Sequence, residues 1–137
     1  MPRVVLRTGI DLLEIDRLNS LAPAIRARFL RRVFTEKELE QSKNSNPTLA
    51  GLFCVKEAVS KALGCGIGNI GWKDIETLAD PQGAPCVTLL GNAAQLAEEI
   101  GLSTWAVSIS HTKLLAVASV TAFGFIFEYE DPLCLRR

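Results

Sequence analysis

The strongest constraint on this chain is one long helix whose two ends are both marked in the sequence. Asn44-Ser45-Asn46-Pro47 is a loop with a proline at the first helical position, where the missing N–H has no intrahelical partner to lose. Gly64-Cys65-Gly66-Ile67-Gly68 stops the same segment. Between these signals, Leu49, Leu52, Phe53, Val55, Val59 and Leu63 recur at helical spacing over Pro47–Leu63. An apolar stripe of that length needs a second layer to cover it. Glu57 and Lys61 stand four residues apart and share one face of this helix.

The covering layer reads as strands. Arg3–Ile10 alternates, with Val4, Leu6 and Thr8 against Val5, Arg7 and Gly9. Gly9-Ile10-Asp11 then ends that strand, which puts Asp11 where it hands over to Leu12–Leu21. Trp105–Ile109 and Leu115–Phe127 read as buried strands joined through Ser110-His111-Thr112-Lys113. Asp74–Ala79 and Pro85–Leu90 form a hairpin around Pro81-Gln82-Gly83. Helices are expected over Pro23–Val33, from the capping box Thr35…Glu38 to about Lys43, and over Ala93–Ile100 before Gly101. No repeat or linker divides the 137 residues. The expected fold is a single α+β domain over 1–137, with a mostly antiparallel sheet and a long central helix.

Charge narrows the classes of partner. Fifteen Lys and Arg balance fifteen Asp and Glu, which excludes a chain that coats nucleic acid by bulk charge. Residues 1–34, however, hold seven Arg against three acids, a local +4. Arg26, Arg28, Arg31 and Arg32 crowd one helix, which is either a solvated face or a dense source of carboxylate and phosphate donors. The segment Met1–Arg7 has no apolar signal core, and the longest uncharged apolar run, 14 residues over Leu114–Phe127, is short of a bilayer span. Cys54, Cys65, Cys86 and Cys134 lack zinc-site spacing and are expected as reduced thiols in a cytoplasmic protein.

Each polar candidate has two readings. Asp11 at a strand end could ligate a metal or cap a helix. Glu57 and Lys61 could be an exposed ion pair or functional groups. The Gly64–Gly68 loop follows a helix and precedes none, so it is no dinucleotide fingerprint; it is a helix stop unless its amides meet a ligand. His111, the only histidine, lies among Ser108, Ser110 and Thr112 beside Lys113, either a polar turn or a donor-lined anion site. No G-x-S-x-G is present.

Four blocks in series add a resemblance to these readings. Gly9-Ile10-Asp11-Leu12-Leu13-Glu14-Ile15 comes first, then Val33-Phe34-Thr35-Glu36-x-Glu38. Leu49-Ala50-Gly51-x-Phe53-x-x-Lys56-Glu57-Ala58-x-Ser60-Lys61-Ala62-Leu63-Gly64 and Ser108-Ile109-Ser110-His111-Thr112 follow. Together, over roughly residues 5–122, they resemble the holo-acyl-carrier-protein synthase family, the short type of 4′-phosphopantetheinyl transferase.

The resemblance implies that family's fold and a transfer reaction. A serine of an apo acyl carrier protein attacks the β-phosphate of coenzyme A, and 3′,5′-ADP leaves. It implies Mg²⁺ held by Asp11 and Glu57, with Leu13 where longer relatives place a further acid. Lys61 would contact the diphosphate, and Ser110 and His111 would lie near the phosphates of coenzyme A. Gly64 and Gly66 would line the adenosine side. Either Glu57 or a water on the metal would take the serine proton. Arg17 and Arg28 match the positions that dock the acidic carrier protein, with Arg26, Arg31 and Arg32 as additions. The family forms homotrimers with sites between subunits, and the implied setting is fatty acid or polyketide synthesis in the cytoplasm. Cys54 and Val55 replace small residues, Cys65 interrupts the glycine loop, and residues 123–137 extend beyond the typical end. A non-catalytic coenzyme A-binding module on the same fold is the competing expectation. Nucleic acid and membranes are not expected partners.

Overall fold

The computed structural model describes residues 1–127. Strand β1 (Pro2–Glu14) leads to a short helix α1 (Asp16–Asn19), then α2 (Pro23–Val33), α3 (Glu36–Ser42) and the long α4 (Asn46–Ala62). A hairpin of β2 (Ile75–Ala79) and β3 (Pro85–Leu89), helix α5 (Gly91–Glu99) and strands β4 (Leu102–His111) and β5 (Leu115–Phe127) follow. This α+β order agrees with expectation, but the strands form two antiparallel sheets: β1-β5-β4, and β2-β3.

One expectation fails at the first strand. The Gly9-Ile10-Asp11 sequence does not end β1, which stays paired with β5 from Pro2↔Phe127 to Glu14↔Leu115. Gly9 is a point of close approach: a Cβ there would lie 1.9 Å from the Ala58 carbonyl oxygen of α4. The residue is small because a helix lies on it, and the strand continues beneath. Asp11 therefore sits within a strand, paired with Ala118, and caps no helix.

The same logic shapes the rest of the α4–sheet contact. Ala116, Ala118, Val120 and Ala122 of β5 face α4 and are fully buried. Gly51 on the helix meets Ile109 of β4, where a Cβ would come within 2.8 Å of a methyl group. Small residues on both sides let the backbones approach closely. Interior packing then seals nearly all of α4, including Leu49, Val55 and Val59.

The expectation that Trp105–Ile109 and Leu115–Phe127 are buried strands is also corrected, since both alternate between buried and more exposed positions. The sheet alternates, and its side away from α4 is open: Val4, Leu6, Ile10 and Leu12 of β1 are each more than half exposed. Phe123, Phe125 and Phe127 of β5 lie on that open side too. Residues 123–127, expected as part of a terminal extension, are the end of β5 paired to Leu6–Pro2. The remainder of that extension, including Cys134, lies outside the described residues.

Helix ends follow their local signals. Thr35 accepts from the Glu38 N–H at 3.2 Å, and Glu38 accepts from the Thr35 N–H at 3.0 Å, the expected capping box. Ser45 caps α4, whose first turn contains Pro47. Glu38 does more than cap: it is fully buried and forms a 2.7 Å ion pair with Lys56 of α4, also fully buried. Lys56 further donates to the carbonyls of Trp72 (3.0 Å) and Ile75, and the other Glu38 oxygen accepts from the Thr77 N–H at 3.1 Å. Burial pushes the Lys56 ammonium below its usual range while Glu38 pulls it back up. Three acceptors around one cation tie α4, α3 and β2 into a single frame.

Candidate active site

α4 is sealed along most of its circumference, and its open flank carries Phe53, Glu57 and Lys61 at successive turns. Asp11 lies on the α4-facing side of β1, between buried Gly9 and Leu13. The Lys61 ammonium reaches across to β1, donating to the Ile10 carbonyl at 2.8 Å and the Asp11 carboxylate at 3.2 Å. The Lys61 side chain is 53% exposed and that of Asp11 18%, so this pair stands at the mouth of a crevice.

Glu57 completes the corner. Partial burial, and then the negative charge of Asp11, push its carboxyl above the usual carboxylate range, with Lys61 offsetting part of the effect. Two carboxylates beside one lysine give this corner a net negative charge that a cation would offset. The donor set is all oxygen and is short of a full cage, which suits a hard ion that keeps several waters. Among the described residues no group of three His, Cys, Asp or Glu assembles into a denser metal site. Leu13, two residues beyond Asp11, is buried in the core and adds no ligand.

Beneath the carboxylates lies Cys54, fully buried, its thiol 3.6 Å from the Ala116 carbonyl oxygen. Burial, then the charge of Asp11, push that thiol up to about 12, so it stays protonated and unreactive. Beyond Lys61 the chain turns into the glycine loop. Gly64 (φ 74°) and Gly68 (φ 145°) take backbone conformations that favour glycine, whereas Gly66 does not, and a Cβ at Gly66 would meet no atom within 4 Å.

Ser110 and His111 are not brought to this corner. Ser110 pairs with Val117, which pairs with Leu12, a row on the sheet's open side away from α4. His111, at the end of β4, pairs with Ala116 of β5, the strand that separates β4 from β1. Two strand spacings put them about 10 Å apart laterally. Its ring Nδ1 lies 3.4 Å from the Thr112 carbonyl oxygen.

The basic residues separate into two kinds. Arg17 on α1 and Arg28, Arg31 and Arg32 on α2 are exposed. Arg26 is half-buried, and its guanidinium is held by Asn44 (2.7 Å) and Asn46 (2.6 Å), which makes it a structural tie rather than a docking residue. Next to Arg28, Phe29 packs on Phe53 with ring centroids 5.8 Å apart, and Phe53 stacks on Trp72 at 5.1 Å. This aromatic run links the arginine-bearing helix to the open flank of α4, a connection that sequence reasoning missed. Phe29 and Phe53 were legible as helix residues, but their contact spans two elements and has no local signal.

Comparison with known proteins joins these observations. The model of the 4′-phosphopantetheinyl transferase superfamily matches residues 7–117. A holo-[acyl-carrier-protein] synthase of Herpetosiphon aurantiacus is 42% identical over 127 residues, covering 88% of this chain and 100% of the relative. One from Alkaliphilus oremlandii is 45% identical over 117 residues, 83% of this chain and 95% of the relative. The crystal structure of Helicobacter pylori holo-[acyl-carrier-protein] synthase in complex with coenzyme A superposes with TM-score 0.76 at 32% identity, covering 84% of this chain and 98% of that one. A Bacillus anthracis holo-(acyl-carrier-protein) synthase in complex with CoA (3′,5′-ADP) gives TM-score 0.72 at 30% identity, over 89% and 99%. With its fold, and most of its length, matched in this way, the chain belongs to the 4′-phosphopantetheinyl transferase superfamily, as an enzyme of the holo-[acyl-carrier-protein] synthase type.

Proposed function

We propose that this enzyme transfers the 4′-phosphopantetheine group of coenzyme A to a serine of an apo acyl carrier protein, with Mg²⁺, in fatty acid or polyketide synthesis. The observation that carries the reading is the corner where Asp11, Glu57 and Lys61 meet between β1 and α4. Asp11 and Glu57 would hold the ion. When bound, Mg²⁺ supplies positive charge to the diphosphate in the transition state. Lys61, one turn beyond Glu57, neutralises a diphosphate oxygen and orients the group for in-line attack. Glu57 or a water beside it would accept the proton of the serine hydroxyl as its oxygen bonds to the β-phosphorus. The bond from that phosphorus to the bridging oxygen breaks, and 3′,5′-ADP departs. The open surroundings of Gly66 leave backbone amides accessible for the adenosine side, beside Gly64.

Carrier recognition falls to Arg17 and Arg28. The aromatic run Phe29–Phe53 leads from Arg28 to Glu57, so a carrier docked on α2 delivers its serine along the open flank. Ser110 and His111 join the site of a neighbouring subunit in a homotrimer. The open apolar side of the sheet favours such an assembly, since exposed patches of that kind mark protein interfaces. Cys54, Cys65 and Cys86 are free thiols, which suits a reducing cytoplasm. No helix among the described residues is long and apolar enough to cross a membrane.

The test is incubation of an apo carrier protein with coenzyme A, Mg²⁺ and the enzyme. One 3′,5′-ADP should appear per modified carrier. Binding of coenzyme A without any 3′,5′-ADP would favour the binding-module alternative instead.

A further inference from the structure

Lys61 passes over the partner that its own helix offers. Glu57 stands one turn before it on α4, the ordinary position for an ion pair four residues apart. The ammonium reaches across to β1 instead and bonds there twice, to the Ile10 carbonyl at 2.8 Å and to the Asp11 carboxylate at 3.2 Å. Its ion pair is with Asp11. β1 is the edge strand of its sheet, next to β5 alone, so Lys61 supplies Ile10 with a donor from outside the sheet. Two acceptors on neighbouring residues thus fix the ammonium over Asp11.

That docked position conflicts with the roles the reaction asks of the same groups. Asp11 is to hold a divalent ion, and Lys61 is to meet a diphosphate. In the structure, the Oδ1 atom of Asp11 is taken by the lysine. A metal ion that claims this oxygen must first displace the ammonium, and one on the other oxygen still meets its positive charge. The pair is easy to open. More than half of the Lys61 side chain is exposed, and ion pairs in such surroundings are weak. Its four-carbon stem is flexible, and an ammonium has three donors, of which β1 uses two. A diphosphate offers it several charged oxygens in exchange for one carboxylate oxygen and one neutral carbonyl.

We propose that Lys61 is a stand-in cation: in the free enzyme its ammonium holds the Asp11 carboxylate in the metal ion's place, and a diphosphate draws it off β1 and opens Asp11. This deepens the proposed function and rests on its reading of Asp11 and Glu57 as the residues that would hold Mg²⁺. The consequence is an order of binding. Without coenzyme A, Lys61 keeps Asp11 neutralised, and the corner takes up a divalent ion poorly. With the diphosphate in place, Asp11 becomes free just where the ion is needed. Because both ligands require the same release of Lys61 from β1, each raises the affinity for the other.

Two measurements on the full chain test this, with circular dichroism to show that each protein is folded. The first is calorimetric titration with MgCl₂ and no coenzyme A. Lys61→Met should bind the ion at least tenfold more tightly than wild type, although it has lost a group that the reaction needs. The second is crystallographic: wild type in chelator, before and after soaking with coenzyme A, still in chelator. Lys61 should lie on Asp11 before the soak and on the diphosphate after it. Mg²⁺ binding by Lys61→Met that is no tighter than wild type would overturn the proposal. So would a Lys61 that stays on Asp11 with coenzyme A bound, since any gain in Lys61→Met would then reflect charge repulsion alone. Both results leave the metal reading standing. Wild type that takes up no Mg²⁺ even when saturated with coenzyme A would defeat that reading, and the proposal with it.

Discussion

Helix α4 carries two lysines five residues apart, each bonded to a carboxylate, and their surroundings give them opposite roles. Lys56 and Glu38 are both 0% exposed and 2.7 Å apart, and two backbone carbonyls complete the ammonium. Lys61 and Asp11 are 3.2 Å apart at 53% and 18% exposure, with Glu57 crowding the same corner. The first pair is satisfied by the protein alone. The second holds more negative charge than one lysine offsets and opens to solvent, so its groups remain available to a cation and a substrate. Closeness in sequence says little about role; what differs is whether the protein itself completes each polar group.

The largest expected effect breaks the buried pair. Lys56→Met leaves Glu38 buried without its cation and should cost about 3–5 kcal/mol of stability. Thermal melts should show Tm falling by about 10 °C or more. A melt within 2 °C of wild type, a small shift on the scale of about 4–8 °C per kcal/mol for small domains, would mean that the pair is not the frame described here.

Next come substitutions at the open pair. Asp11→Asn and Lys61→Met should each lower turnover by about 10²- to 10³-fold, because charge aimed at the transition state is lost. Melts of both variants should stay near wild type, since neither residue ties elements together in the core. A large loss of stability with normal turnover in the surviving protein would reverse the comparison.

Arg28→Glu should act on the partner and spare the cofactor. KM for the carrier protein should rise about tenfold, equivalent to ~1.4 kcal/mol, while KM for coenzyme A holds. Added salt should weaken wild-type catalysis, as the Debye length falls from about 10 Å at 0.1 M to 3 Å at 1 M. If coenzyme A binding suffers and carrier binding does not, α2 serves the nucleotide.

The smallest effect is a pH dependence at Glu57. Its carboxyl is pushed up in the folded protein, so the unfolded chain gives up this proton first as pH rises. Folded, metal-free protein then binds the extra proton, and stability falls with pH between the ordinary and the raised values. Glu57→Gln removes that cost. Its stability advantage in chelator should be absent below the ordinary carboxylate range and complete above the raised value. An advantage that shrinks as pH rises would contradict the crowding of Asp11 and Glu57.

Much of the frame was legible because its signals are local. The Pro47–Leu63 helix, the Thr35–Glu38 box and the β2–β3 hairpin were each marked by neighbours in sequence. The end of β1 was misplaced because Gly9 reads as a stop, whereas its smallness answers the Ala58 carbonyl 49 residues away. Lys56 left a trace that passed unread. It stands four residues after Leu52 and three before Val59, a stripe position where lysine needs a buried anion. At the site, the shared face of Glu57 and Lys61 was visible from spacing. The approach of Asp11 was not, since it depends on how β1 lies across α4. The opposed facing of Ser110 needed the register of three strands, which no single segment encodes.

The most direct test of the central claim is the intact mass of an apo carrier protein after incubation with coenzyme A and the enzyme. Three reactions suffice: wild type with Mg²⁺, wild type with chelator, and Asp11→Asn with Mg²⁺. One added phosphopantetheine group per carrier is expected in the first, and almost none in the other two within the same time. Full modification in chelator, or by Asp11→Asn at the wild-type rate, would contradict the assignment of the chemistry to the open corner of α4.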